Sequence, residues 1–340
     1  MLGVYRFALA LLVVQGHLLA WGAPWLAWQA VFSFYLLSGF LMTLVLNQDY
    51  EFDADGVVRF AANRTLRLFP VYWAVIGLTS LHIAFVGPLD QLNGAMALPL
   101  SAAERLANVF MTLVGFDQSQ VTERRLSPSA WSLSIELFCY MLLAVYFGKT
   151  RARLFLMLAI GTAVSVVQII SDLDQPDFGF QNHYTVLQAG LIPFAVGGLA
   201  YFYRHSRLFA FSSTRLSVLC FFLSLNFLAG YWSDFHKYVA GLYVTVALNM
   251  ALVPMLFSVE SKRKWQTLLG ALSYPVFLSH WLVGTLATIY LPIAAGSFLH
   301  FLLATLLAIM LSLALHYFID RPVQKLRTYI KHGPATVGEG

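Results

Sequence analysis

Apolar residues recur along this chain in ten blocks of near-equal length. They cover residues 4–21, 28–46, 70–87, 130–148, 154–171, 185–203, 215–232, 238–258, 271–290 and 297–318. A helix needs about 20 apolar residues to cross the hydrocarbon core of a bilayer, so each block reads as a membrane-spanning helix. The basic residues between blocks concentrate in alternate segments. With the N-terminus in the cytoplasm, the cytoplasmic segments hold Arg59, Arg64 and Arg67; Lys149, Arg151 and Arg153; Arg204, Arg207 and Arg215; Lys262, Arg263 and Lys264; and Arg321, Lys325, Arg327 and Lys331. The outer segments hold only Arg105, Arg124, Arg125 and Lys237. This is the positive-inside distribution. The pattern predicts an all-α polytopic membrane protein with about ten transmembrane helices and both termini cytoplasmic.

The outer boundary carries Trp21, Trp25, Trp28, Trp131 and Trp232, as an aromatic belt does. The longest outer segment is 88–129, and within it 101–116 has the mixed character of an interfacial helix. No extramembrane stretch is long enough to fold alone. The expected organisation is one transmembrane domain over residues 1–331 and a short disordered cytoplasmic tail over 332–340. No internal repeat is visible. The first apolar block lacks a basic n-region and a small-residue cleavage site, so it reads as a retained helix.

Composition narrows the class. The chain has 340 residues, 59% of them hydrophobic and 11% charged, and a mean hydropathy of +0.71. Soluble domains carry about 25% charged residues. The net charge of +5 lies in the loops, where topology explains it, so no nucleic-acid partner is expected. Cys139 and Cys220 both sit in apolar blocks and suggest neither a disulfide framework nor a metal site.

Against that background the ionisable residues inside blocks stand out, because they are expensive in lipid. Arg6 and His17 are eleven residues apart, which returns to the same helical face with a rise of about 16 Å. Glu136 is the second costly residue. It lies about 7.5 Å below Trp131, and His17 about 6 Å below Trp21, which puts the two at nearly one depth. A carboxylate beside an imidazole fixes its tautomer and supports its protonated form. A structural pair tying two helices fits the residues alone equally well. Arg64 and Arg67 precede the third block, share a helical face and suit phosphate, although positive-inside anchoring explains them too. Ser132, Ser134 and Tyr140 flank Glu136 as candidate donors, Tyr140 on the same face. His280 lies mid-block, where packing with hydrogen bonds to neighbouring helices and lining of a channel both fit. Ser38 and Gly39 read as close helix packing.

The order of these residues resembles the acyltransferase-3 family of membrane acyltransferases. The resemblance runs over nearly the whole chain. It rests on Arg6 to His17, on Phe34 to Leu41, on Arg64-Thr65-Leu66-Arg67 continuing to Trp73, on Trp131-Ser132-Leu133-Ser134-Ile135-Glu136, and on Ser273-Tyr274 to His280. Phe7, Cys139 and Asp320-Arg321-Pro322 depart from the usual pattern. The resemblance implies transfer of an acyl group, usually acetyl from acetyl-CoA, to a hydroxyl of a glycan or lipid-linked saccharide. It implies a catalytic His17, with Arg6, Arg64 and Arg67 serving donor binding or activity. It also implies a bacterial cytoplasmic (inner) membrane, with membrane lipids around the chain and no permanently bound cofactor. On this reading His17 is a general base supported by Glu136, or else forms an acyl-histidine. The competing class is a transporter or flippase for a lipid-linked saccharide or anionic metabolite.

Overall fold

The computed structural model describes residues 1–111, 124–175, 177–259 and 263–332. The described residues are helical without strands. In chain order the helices are α1 (Leu2–Leu18), α2 (Pro24–Asp49), α3 (Ala54–Phe85), α4 (Ala102–Val109), α5 (Trp131–Val145), α6 (Arg151–Ser171), α7 (Phe180–Tyr184), α8 (Leu191–Tyr203), α9 (Ser213–Ala229), α10 (Gly241–Ser258), α11 (Lys264–Tyr290), α12 (Phe298–Leu315) and α13 (Arg321–His332). Among the described residues seven helices are long and apolar enough to cross a membrane, and three shorter apolar ones cover Leu2–Leu18, Leu187–Tyr203 and Ser213–Ala229. Every apolar block of the sequence coincides with one of these. The chain is an integral membrane protein.

Burial separates the helices by position. In the most apolar window of α11, 78% of residues are buried, and in that of α2, 72%, against 22% for α6. The first two form the centre, with α1 packed against both, while α6 turns Phe155, Ile160, Val167 and Ile170 outward. Exposed apolar side chains of this kind are what a helix facing lipid presents. The centre is dense because α2 and α8 approach backbone to backbone. A Cβ at Gly39 would collide with the Phe194 backbone, and one at Gly197 with the Leu36 backbone.

Two boundaries differ from the sequence pattern. The third helix begins at Ala54, well before the apolar block at 70–87, because Asp53 caps it by accepting from the Gly56 amide at 2.8 Å. It then runs through Pro70 without ending. Arg59, Arg64 and Arg67 therefore lie within a continuous helix, not ahead of it. The last apolar helix also continues, through a π-helical turn at His316–Asp320, into α13. In the long outer segment, α4 forms with a Ser101–Glu104 capping box. Backbone hydrogen bonds from Ser101 and Leu100 hold the Glu104 carboxyl below its usual range. Of the interfacial helix expected over 101–116, the part from 112 lies outside the described residues, as does the tail beyond His332.

Candidate functional site

Three chambers adjoin one another along the bundle. The first is a vestibule of about 880 Å³ at the end that carries Met1. Its wall holds Arg6, Arg67, Lys264, Arg321 and Arg327, with Asp320 as its single carboxylate. The second is a central cavity of about 100 Å³ that includes Arg6, Ser38, Arg64, Arg67, Glu136 and Tyr140. Arg6, Leu41 and Arg67 line both, so they form the neck between them. The third is a distal cleft of about 350 Å³, with His17, Trp28, Trp131, Asp177 and Tyr184 among its lining. It meets the central cavity at Val31, Ser132 and Phe277, which line both.

The three arginines have unequal surroundings. Arg67 pairs with Asp320 at 2.6 Å, and the same carboxylate takes a 3.1 Å contact from His316 Nδ1. The π-helical turn places His316 and Asp320 together. Arg64 donates to Asn63 Oδ1 at 2.7 Å and contacts Met42 Sδ at 3.5 Å, and its Nε is buried without a partner. The Arg6 Nε is likewise buried and unpartnered, and among the described residues no carboxylate pairs with Arg6. A buried cation without a partner is costly. The neck is thus arranged to receive an acceptor group, an anion above all.

Glu136 belongs to the central cavity. It accepts from Ser38 Oγ at 2.5 Å and from the Tyr140 hydroxyl, four residues further along α5. The expected His17–Glu136 pair does not form. His17 Nδ1 instead meets His280 Nε2 at 2.9 Å, and Trp281 lies over the His17 ring at 4.8 Å. The cause is the depth reference. Trp21 is 69% exposed at the rim, whereas Trp131 is drawn into the wall of the distal cleft beside His17. Counting down from Trp131 puts Glu136 more than a turn deeper than His17, on the other side of the Val31–Ser132–Phe277 constriction.

The two serines near Glu136 also separate. Ser132 lies at the constriction, but its hydroxyl donates to the Ser129 carbonyl at 3.0 Å. Ser134 lines a different, apolar pocket between α3 and α5 with Trp73, Leu137 and Phe138, and its Oγ has no partner. Residues two positions apart on a helix differ by about 200° in direction, so Ser132 and Ser134 face different cavities. Ser38 and Asp320 are partners of the site that sequence reasoning did not place there. For Ser38 the signal was its position on a central helix three turns above the N-terminal end of the block. For Asp320 it was the Asp-Arg-Pro motif already noted.

A family model described as an acyltransferase domain matches residues 2–317. Neither a curated protein nor a solved structure gives a match.

Proposed function

The chain belongs to this acyltransferase family, and we propose that it moves an acyl group, acetyl in the simplest case, from a cytoplasmic acyl-CoA to a hydroxyl of a glycan or lipid-linked saccharide. On this reading ten helices cross the bacterial inner membrane with both termini cytoplasmic, and the vestibule opens to the cytoplasm. The observation that carries the proposal is the unpartnered Arg6 guanidinium at the neck between a basic vestibule and a path leading to His17. The donor's phosphates take the vestibule and neck cations, for which guanidinium forks are well suited. Its thin pantetheine arm then follows the Arg6–His17 stripe, about 16 Å along one face of α1, and brings the thioester to the constriction.

The acceptor hydroxyl lies in the distal cleft. His17 takes its proton as the oxygen attacks the thioester carbon. The C–S bond breaks, the C–O ester bond forms, and the thiolate recovers a proton to leave as CoA thiol. Base catalysis of this kind contributes about 10²–10⁴-fold. Glu136, held by Ser38 and Tyr140, moderates the positive charge of Arg6 and Arg64 instead of touching the base. Three adjoining chambers would also suit a transporter or flippase, which predicts substrate movement without CoA.

The test is acceptor-dependent thiol release from acetyl-CoA by purified protein with a mixed glycan extract, comparing the parent with His17→Ala. The expected result is release that falls about 10²–10⁴-fold in the variant while CoA binding persists. Release unaffected by the substitution removes His17 from the chemistry. Absence of both release and CoA binding by folded protein rejects the acyl-CoA reading.

A further inference from the structure

His280 is fully buried in α11, and its Nδ1 lies 2.6 Å from the Phe277 carbonyl oxygen. A carbonyl oxygen only accepts, so that nitrogen carries the hydrogen. In the neutral ring Nε2 is then a bare acceptor. It faces His17 Nδ1 at 2.9 Å, so His17 Nδ1 carries a hydrogen and donates it. The rings are 3° from coplanar with centroids 5.1 Å apart. That separation is close to the bond length plus the two ring radii, so the rings meet edge to edge, with the lone pair of one aimed at the N–H of the other. The reverse arrangement would set the bare Nδ1 of His280 against the Phe277 oxygen, lone pair to lone pair. A doubly protonated His280 would be a buried charge, and among the described residues no carboxylate hydrogen-bonds to or pairs with either ring.

We propose that His280 is the positioning residue for His17: it holds His17 in the Nδ1–H tautomer and leaves Nε2 as the free base. The proposal rests on the acyl-transfer reading for its consequence, but not for its geometry. It assigns to a neutral histidine the orienting task that a carboxylate performs in the serine-hydrolase triad. The bond chain runs from the Phe277 carbonyl through His280 to His17, and Ser129 Oγ steadies its far end by donating to the same carbonyl at 3.2 Å. When His17 Nε2 takes the acceptor proton, the imidazolium keeps its Nδ1–H bond to His280. A neutral partner stabilises that cation less than a carboxylate would, so the proton is passed on to the departing thiolate more readily. Trp281 packs across the His17 ring and limits its rotation.

Two measurements test this. Nitrogen-15 magnetic resonance of histidine-labelled protein, with the His17 and His280 signals assigned from His17→Gln and His280→Gln variants, reads the tautomers directly. The expected result is a protonated Nδ1 and a bare Nε2 on His17. A protonated Nε2 on neutral His17 overturns the proposal. In steady-state transfer, His280→Phe should lower kcat by about 10³-fold, the middle of the 10²–10⁴-fold range that general-base catalysis contributes, with the donor KM changed less than about threefold. His280→Gln, whose amide oxygen reaches the position of Nε2, should recover most of that loss. A His280→Phe protein that folds and turns over within about tenfold of the parent, or a Gln variant no better than Phe, overturns it. If His280→Phe does not fold, the Gln variant and the nitrogen signals of the parent decide. If His17→Ala leaves transfer intact, the base assignment falls while the tautomer measurement still stands on its own.

Discussion

The neck and the distal cleft are built from opposite materials. At the neck and the two chambers it joins, Arg6, Arg64 and Arg67 share two carboxylates, Glu136 and Asp320, and the Nε atoms of Arg6 and Arg64 are buried without a partner. At the cleft His17 is held by another histidine, among Trp28, Trp131 and Tyr184, with Asp177 as the single charged residue in the lining. A surplus of buried cation stores affinity for an anion. A neutral hydrogen-bonded ring stores a lone pair in a fixed direction. On the acyl-transfer reading the two ends differ because one holds phosphate and the other handles a proton, and the layer formed by Val31, Ser132 and Phe277 separates the tasks.

Substitutions can break that division or sharpen it. The largest effect is expected at Arg67→Ala, which takes from the buried Asp320 its one arginine partner and leaves only His316 Nδ1 against it. Loss of one partner of such a pair costs about 3–5 kcal/mol, read as a fall in the thermal midpoint in detergent. Arg67→Leu combined with Asp320→Leu should recover most of it, since both charges then leave together. Arg6→Gln should leave the midpoint unchanged, because Arg6 gives up no native ion pair, and should raise the donor KM about 10–100-fold, the equivalent of one charged hydrogen bond. A change in the acceptor KM instead would dissolve the division. The smallest effect is expected in the cleft: Trp28→Ala should raise the acceptor KM by about two- to tenfold, the worth of one aromatic contact, and leave the donor KM alone.

Much of this was legible in the sequence, and the failures share a cause. Hydrophobic periodicity located every apolar helix because lipid leaves no other solution for backbone hydrogen bonds. Helical phase correctly set Arg64 with Arg67 on one cavity and Tyr140 with Glu136. Distances along a helix were sound; distances between helices were not. Pairing His17 with Glu136 required Trp21 and Trp131 to share a plane, and nothing in either segment reports that one sits at a rim and the other inside the bundle. Ser134 was grouped with Ser132 by proximity in sequence, although two steps of a helix reverse direction. The third helix begins early because Asp53 caps it and the turns after it, though rich in charge, already bury Phe60 and Leu68. The His17–His280 contact joins residues 263 positions apart, which no local pattern encodes.

The constriction formed by Val31, Ser132 and Phe277 has an electrical meaning as well. The central cavity, which joins the vestibule, and the distal cleft meet at it from either side, so on the ten-helix reading it is the thin insulator across which a membrane voltage would fall. On the proposed reading, acyl transfer through it sends an acyl group one way and, if the hydroxyl proton follows to the thiolate, a proton the other way, with no net current. If that proton instead stays on the acceptor's side and another is drawn from the cytoplasm, each turnover drives one charge outward against an inside-negative potential. That work is about 2.3 kcal/mol per 100 mV. Turnover in vesicles held at a set voltage would tell the two apart, and a single layer of three side chains is what makes the question meaningful.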